Sequence, residues 1–187
     1  MNILTIALIG TYTLIIASLI WARFQFFVIK SKRSRISSLV YDPTVVVQIL
    51  FTYYYFLATT NPGLTSSYFA LCLYVMSLTL FWWAIVTAKK LNFAFSAEVG
   101  EIVTTGPFAW VRHPIYLSYV FIWLGSTLLF NSLPLWITLV YLITFYVFSA
   151  KSEEKVILNS RYSTEYLEYS QNVGMFLPRI NYGKAEI

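Results

Sequence analysis

Residues 112–155 read RHPIYLSYVFIWLGSTLLFNSLPLWITLVYLITFYVFSAKSEEK, and the fold of the chain turns on how this stretch is divided. Two apolar runs, 115–130 and 133–149, are separated only by Asn131-Ser132. So short a polar break between two apolar runs predicts a tight helical hairpin, with Pro114 at the first turn of its first helix. Spanning a bilayer takes about 20 apolar residues, so both arms are short and are expected to sit tilted or partly buried. The hairpin begins at Arg112-His113 and ends at Lys151-Ser152-Glu153-Glu154-Lys155, so both polar ends emerge on one face of the membrane.

Working outward, three further apolar runs precede the hairpin. Residues 3–20 have no basic residue before them and Arg23, Lys30, Lys32, Arg33 and Arg35 after them, so they read as a first span that stays in place, not as a secretory leader. Residues 43–60 open with Pro43, expected at the first turn of a helix, and stop before the turn signal Asn61-Pro62-Gly63. Residues 66–88 end at Lys89-Lys90. The expectation is an all-α polytopic membrane protein of about five transmembrane helices, a C-terminal helical hairpin and a cytoplasmic amphipathic tail helix. It forms a single integral membrane domain over 1–187, with three N-terminal spans in 1–88 and a core of loop, hairpin and tail in 89–187.

Composition agrees: 187 residues that are 58% hydrophobic, 19% aromatic and 11% charged cannot make an ordinary soluble surface. The 13 Lys+Arg against 8 Asp+Glu point to membrane lipids with anionic headgroups and not to nucleic acid, because the cations lie between apolar runs. With five spans every charged residue falls in 23–42, in 89–114 or after 150. By the positive-inside rule that side is cytoplasmic and the N-terminus lies outside. Cys72, the single cysteine, excludes an internal disulfide and reads as a buried small apolar residue. There is no internal repeat, and neither dinucleotide nor P-loop glycine patterns occur. No metal-ligand grouping is expected, and the oligomeric state is not legible.

Chemistry must therefore sit at the membrane surface, and two polar clusters are available. The first is Thr104-Thr105-Gly106-Pro107-Phe108-Ala109-Trp110-Val111-Arg112-His113-Pro114-Ile115-Tyr116. Its Arg112-His113 step lies where the unpaired backbone N–H groups of a helix start would favour an anion. His113 is the single histidine, and an imidazole can donate, accept or shuttle a proton near neutral pH. The same residues suit a plainer role, with Arg112 snorkelling to headgroups, His113 capping a helix and Trp110 in an aromatic belt. The second cluster is Glu153-Glu154, whose side chains project about 100° apart on a helix and can reach different groups of one ligand, or simply form a solvated helix end. Tyr162, Tyr166 and Tyr169 follow at helical spacing and read as packing residues of an interfacial helix.

In this order, Ile102-Val103-Thr104-Thr105-Gly106-Pro107-Phe108, Arg112-His113-Pro114-Ile115-Tyr116, the hairpin, Glu153-Glu154, Tyr166 with Tyr169, and Phe176-Leu177-Pro178 resemble the isoprenylcysteine carboxyl methyltransferase family and the related phospholipid N-methyltransferases. The likeness covers about residues 86–179. It departs at Lys90–Ser96, which lacks the glycine and tryptophan common in the family. The resemblance implies S-adenosyl-L-methionine as methyl donor, held between the Arg-His-Pro-x-Tyr segment, the Glu-Glu pair and the tail folded back over the hairpin, with Gly106, Pro107, His113, Pro114, Tyr116, Glu153 and Glu154 binding the cofactor. It implies that Arg112 orients the acceptor, with His113 or Glu98 as base where one is needed. The acceptor is expected to be a lipophilic small molecule or lipidated substrate: an isoprenylcysteine-like carboxylate, a lipid amine or a hydrophobic thiol. A steroid-reductase-type membrane enzyme using NADPH, or a non-enzymatic membrane subunit, are the alternatives.

Overall fold

A computed structural model of the chain describes residues 2–25, 32–58, 62–88 and 102–179. Among the described residues the elements are helices α1 (Ile3–Gln25), α2 (Lys32–Ala58), α3 (Leu64–Ala88), α4 (Pro114–Phe130), α5 (Leu133–Leu158) and α6 (Ser163–Asn172), with a 3-10 turn at Gly106–Ala109 before α4. No strand occurs among them. The expected all-α membrane fold is the observed one. Helices α1, α3 and α5 are long and apolar enough to cross a membrane, whereas α4 is a shorter apolar helix of 17 residues. Large apolar side chains such as Leu14, Val86, Ile137, Val140 and Phe148 point outward, as they do where hydrocarbon takes the place of water.

The hairpin divides where its sequence indicates. Pro114 opens α4, where its missing N–H has no intrahelical partner to lose. Asn131 closes α4 in the left-handed conformation, with φ 45°, and Leu133 opens α5. Helix α5 then runs past the apolar stretch to Leu158, so Glu153 and Glu154 ride on its last turns.

Helix α4 packs most closely on α3 through small residues that let the backbones approach. A Cβ on Gly125 would stand 2.8 Å from the Tyr74 ring. Ser77 Oγ donates to Ser118 O at 2.7 Å, and the Tyr74 and Ser126 hydroxyls share a hydrogen bond of 2.9 Å. Helix α2 lies against α5, where Gln48 and Thr138 are hydrogen-bonded and the Tyr41 and Tyr146 hydroxyls meet at 3.1 Å. Helix α1 rests on α3 and reaches α2 through Thr13–Tyr53 and an Arg23–Asp42 ion pair of 2.8 Å. The core where the helices meet holds Leu8, Tyr12, Tyr74, Trp123, Leu142 and Tyr146.

Two expectations change. Pro43 does not begin a helix: α2 starts at Lys32 and continues through it. The proline forfeits one backbone hydrogen bond, and α2 continues through it with Tyr41, on the turn before it, tied to Tyr146 of α5. Cys72 is exposed, not buried. In a membrane helix an apolar neighbourhood marks the lipid face as readily as the core.

Candidate functional site

The 3-10 turn sets the approach to α4. Gly106 has φ +60°, a left-handed conformation that glycine takes without strain, and a Cβ there would stand 2.8 Å from Thr87 Oγ1 on α3. Pro107 and Phe108 are buried behind it, Phe108 against Ala84 and Ala88. The chain is thus pinned to the end of α3 before it reaches Val111, Arg112 and His113.

From there the tail doubles back over the hairpin. Val111 forms a parallel bridge with Gly174, and the backbone N–H groups of Arg112 and His113 donate to Gly174 O at 2.8 Å and Met175 O at 3.1 Å. The unpaired N–H groups expected here as an anion site are therefore occupied by the chain's own carbonyls. A Cβ on Gly174 would lie 1.9 Å from Leu177 O, so this turn admits glycine alone. The tail is clamped a second time where Tyr169 donates to Phe108 O at 2.5 Å.

Arg112 joins the tail to α5. Its Nε donates to Glu154 Oε1 at 2.9 Å, and its NH1 donates to Ser170 O at 3.1 Å and to Val173 O, the carbonyls at the end of α6. Burial pulls the guanidinium pKa down, but the hydrogen bond and charge of Glu154 outweigh it and hold the group above its ordinary value. Burial likewise raises Tyr166 and Tyr169, whose rings pack with Ile157, Ile102 and Val173. Their spacing suggests packing alone, but Tyr166 is also hydrogen-bonded to Glu154 and Arg112, which brings it into the charged cluster, and Tyr169 ties the tail to Phe108.

His113 is the N-cap residue of α4 but makes no side-chain cap, and its ring is turned to the carboxylates. Nε2 lies 3.1 Å from the same Glu154 oxygen that Arg112 holds, and Nδ1 lies 3.8 Å from Glu153 Oε2. In the neutral ring Nε2, facing the nearer carboxylate, carries the proton and Nδ1 is left able to take one. Tyr116 donates to Glu153 Oε1 at 2.5 Å. One turn of helix after His113, its ring stacks on His113 with centroids 5.7 Å apart and on Tyr146 at 5.4 Å. Phe176 lies tilted against His113, with ring centroids 5.9 Å apart.

Arg112, His113, Tyr116, Glu153 and Glu154 thus meet in one constellation, as the hairpin topology requires. Pro114 contributes the helix start. Gly106 and Pro107 pack on α3 and shape the approach from behind the cluster, and Glu98 lies outside the described residues. Gly174, Tyr146 and Tyr41 join the site without a signal in their local sequence, although Gly174 stands just before the Phe176-Leu177-Pro178 segment. Among the described residues no cluster of His, Cys, Asp and Glu could hold a metal ion.

Comparison with known proteins adds the following. A family model described as phospholipid methyltransferase matches residues 65–165. The protein-S-isoprenylcysteine O-methyltransferase of Saccharomyces cerevisiae is 38% identical over 80 residues, 42% of this chain. That match spans 33% of the yeast protein. A solved structure of the eukaryotic intramembrane Ras methyltransferase, isoprenylcysteine carboxyl methyltransferase, superposes with a TM-score of 0.61 at 24% identity, over 95% of this chain and 68% of that one. At that identity the likeness is one of fold.

Proposed function

The chain belongs to the phospholipid methyltransferase family, and on that premise we propose that it is an integral membrane methyltransferase that uses S-adenosyl-L-methionine to methylate a lipophilic acceptor. The observation that carries this reading is the meeting of Arg112, His113 and Tyr116 with Glu153 and Glu154 at the open end of the hairpin. The donor set suits the cofactor. Carboxylates match its ammonium and ribose hydroxyls, and the faces of Tyr116 and Phe176 match its purine and its sulfonium. Glu153 and Glu154 would take the first two, Tyr116, His113 and Phe176 would line the pocket, and the backbone near Gly106, Pro107 and Pro114 would close it. When bound, the cofactor supplies a methyl group on a cationic sulfur, poised for in-line displacement.

The protein's task is then alignment and exclusion of water. Arg112 keeps the carboxylates and the tail in register, and Phe176 shields the histidine. A carboxylate acceptor needs no base. An amine or thiol must lose a proton, for which His113 Nδ1 is placed beside Glu153 and Glu98 is the second candidate. The acceptor is an isoprenylcysteine-like carboxylate, a lipid amine or a hydrophobic thiol, and the active face is cytoplasmic with the N-terminus outside, by the positive-inside rule. Family membership argues for methyl transfer over the NADPH-dependent reductase.

Calorimetric titration of the purified protein with S-adenosylhomocysteine tests the reading. Wild type is expected to bind, and His113→Ala and Glu154→Gln to weaken binding about tenfold or more, the loss of one charge-assisted hydrogen bond. No heat from the wild-type protein would sink it.

A further inference from the structure

Two arginines of opposite character stand at this end of the bundle. Arg112 is 9% exposed at its side chain and committed to Glu154, Ser170 O and Val173 O. Arg23, in the last turn of α1, is 33% exposed, and its described partner is one oxygen of Asp42, itself 44% exposed. An ion pair so open to solvent is worth about 0–1 kcal/mol, so a ligand oxyanion competes with Asp42 on nearly equal terms.

Arg23 also stands at the end of a tyrosine wall that leads to the carboxylates. It holds Asp42, the chain neighbour of Tyr41, whose hydroxyl meets that of Tyr146 at 3.1 Å. Tyr146 sits 5.8 Å from Tyr41, 5.7 Å from Tyr119 and 5.4 Å from Tyr116, ring to ring. Tyr116 then holds Glu153. The wall draws on α2, α4 and α5, with Leu19 of α1 packed against the same cluster.

We propose that Arg23 holds the oxyanion of the lipophilic acceptor, a carboxylate or a phosphodiester at the membrane boundary, and that its release from Asp42 admits the acceptor beside the tyrosine wall. The inference rests on the methyltransferase reading and assigns it an acceptor residue in the half of the chain that carries no family motif. A guanidinium fork suits either oxyanion in a bidentate grip, and Arg112 is already engaged by the protein.

The test uses the full chain in lipid nanodiscs, with S-adenosylhomocysteine binding and methyl transfer measured in parallel. N-acetyl-S-prenylcysteine presents a carboxylate, and phosphatidylethanolamine presents a phosphodiester. For whichever acceptor is methylated, Arg23→Gln is expected to raise its KM about tenfold or more, with kcat and S-adenosylhomocysteine affinity within about threefold of wild type. Arg23→Lys should recover part of the loss, and Asp42→Asn should lower the KM by freeing the guanidinium. A helix staple would behave otherwise, since removing either partner would then harm the protein alike. An unchanged KM in Arg23→Gln overturns the proposal, as does a KM raised equally by Asp42→Asn, or transfer to neither acceptor while S-adenosylhomocysteine still binds. Failure of the wild type to bind S-adenosylhomocysteine removes the methyltransferase reading itself, and the role of Arg23 with it.

Discussion

The two ends of the α4–α5 hairpin hold the same helices together by different means. At the closed end Asn131 turns the chain with φ 45°, its side chain accepts from Trp136 Nε1 at 3.0 Å, and Thr127 Oγ1 donates to Leu135 O at 3.3 Å. These partners lie within eight residues of each other. At the open end Glu154 meets Arg112 across 42 positions, and Arg112 meets Val173 across 61. The closed end is built from neighbours and needs little help. The open end is completed only when a distant segment returns to it, and that is where the polar chemistry lies.

The strongest way to break this contrast is Arg112→Leu, which cuts the ties to Glu154 and to both tail carbonyls at once. Leaving the half-buried Glu154 carboxylate with His113 but without its arginine is expected to cost about 2 kcal/mol, read as a lower thermal midpoint in detergent. Methyl transfer should fall about a hundredfold or more, because the reacting groups lose their alignment. A sharper cut is Gly174→Ala, which spares every charged side chain but drives a methyl into Leu177 O. We expect about 2 kcal/mol of destabilisation confined to the tail, with amide hydrogens of Arg112 and His113 exchanging faster while those of α3 hold their protection. The smallest effect belongs to the closed end. Asn131→Gly keeps the left-handed turn, loses one exposed hydrogen bond, and should change stability by about 0.5 kcal/mol or less, with methyl transfer at the wild-type rate.

The same contrast explains what could be read from the residues alone. Pro114, Asn131-Ser132 and Leu133 are local signals, each acting through its own backbone, and the helix limits fall where they point. The meeting of Arg112-His113 with Glu153-Glu154 was legible for a different reason: a hairpin of two apolar arms leaves its ends no other arrangement. The tail's return over the hairpin was legible only through the family resemblance, not through its own residues. Nothing in the order of residues 160–175 states that Gly174 O and Met175 O will take the N–H groups of Arg112 and His113, so those groups read as open. Pro43 misled because a proline reports only a missing donor, and α2 continues through it where Tyr41 of the turn before is tied to Tyr146 of α5. Cys72 misled because the apolar code does not separate lipid from core.

The pairing of Arg112 and His113 with the carbonyls of Gly174 and Met175 also sets a clock on biosynthesis. The chain is made from its N-terminus, so α1 through α5 are complete while the ribosome still has Gly174 and Met175 to add. Until they emerge, the backbone N–H groups of Arg112 and His113 lack these acceptors. The cluster is therefore completed only after the segment that carries Gly174 and Met175 has folded back over the hairpin.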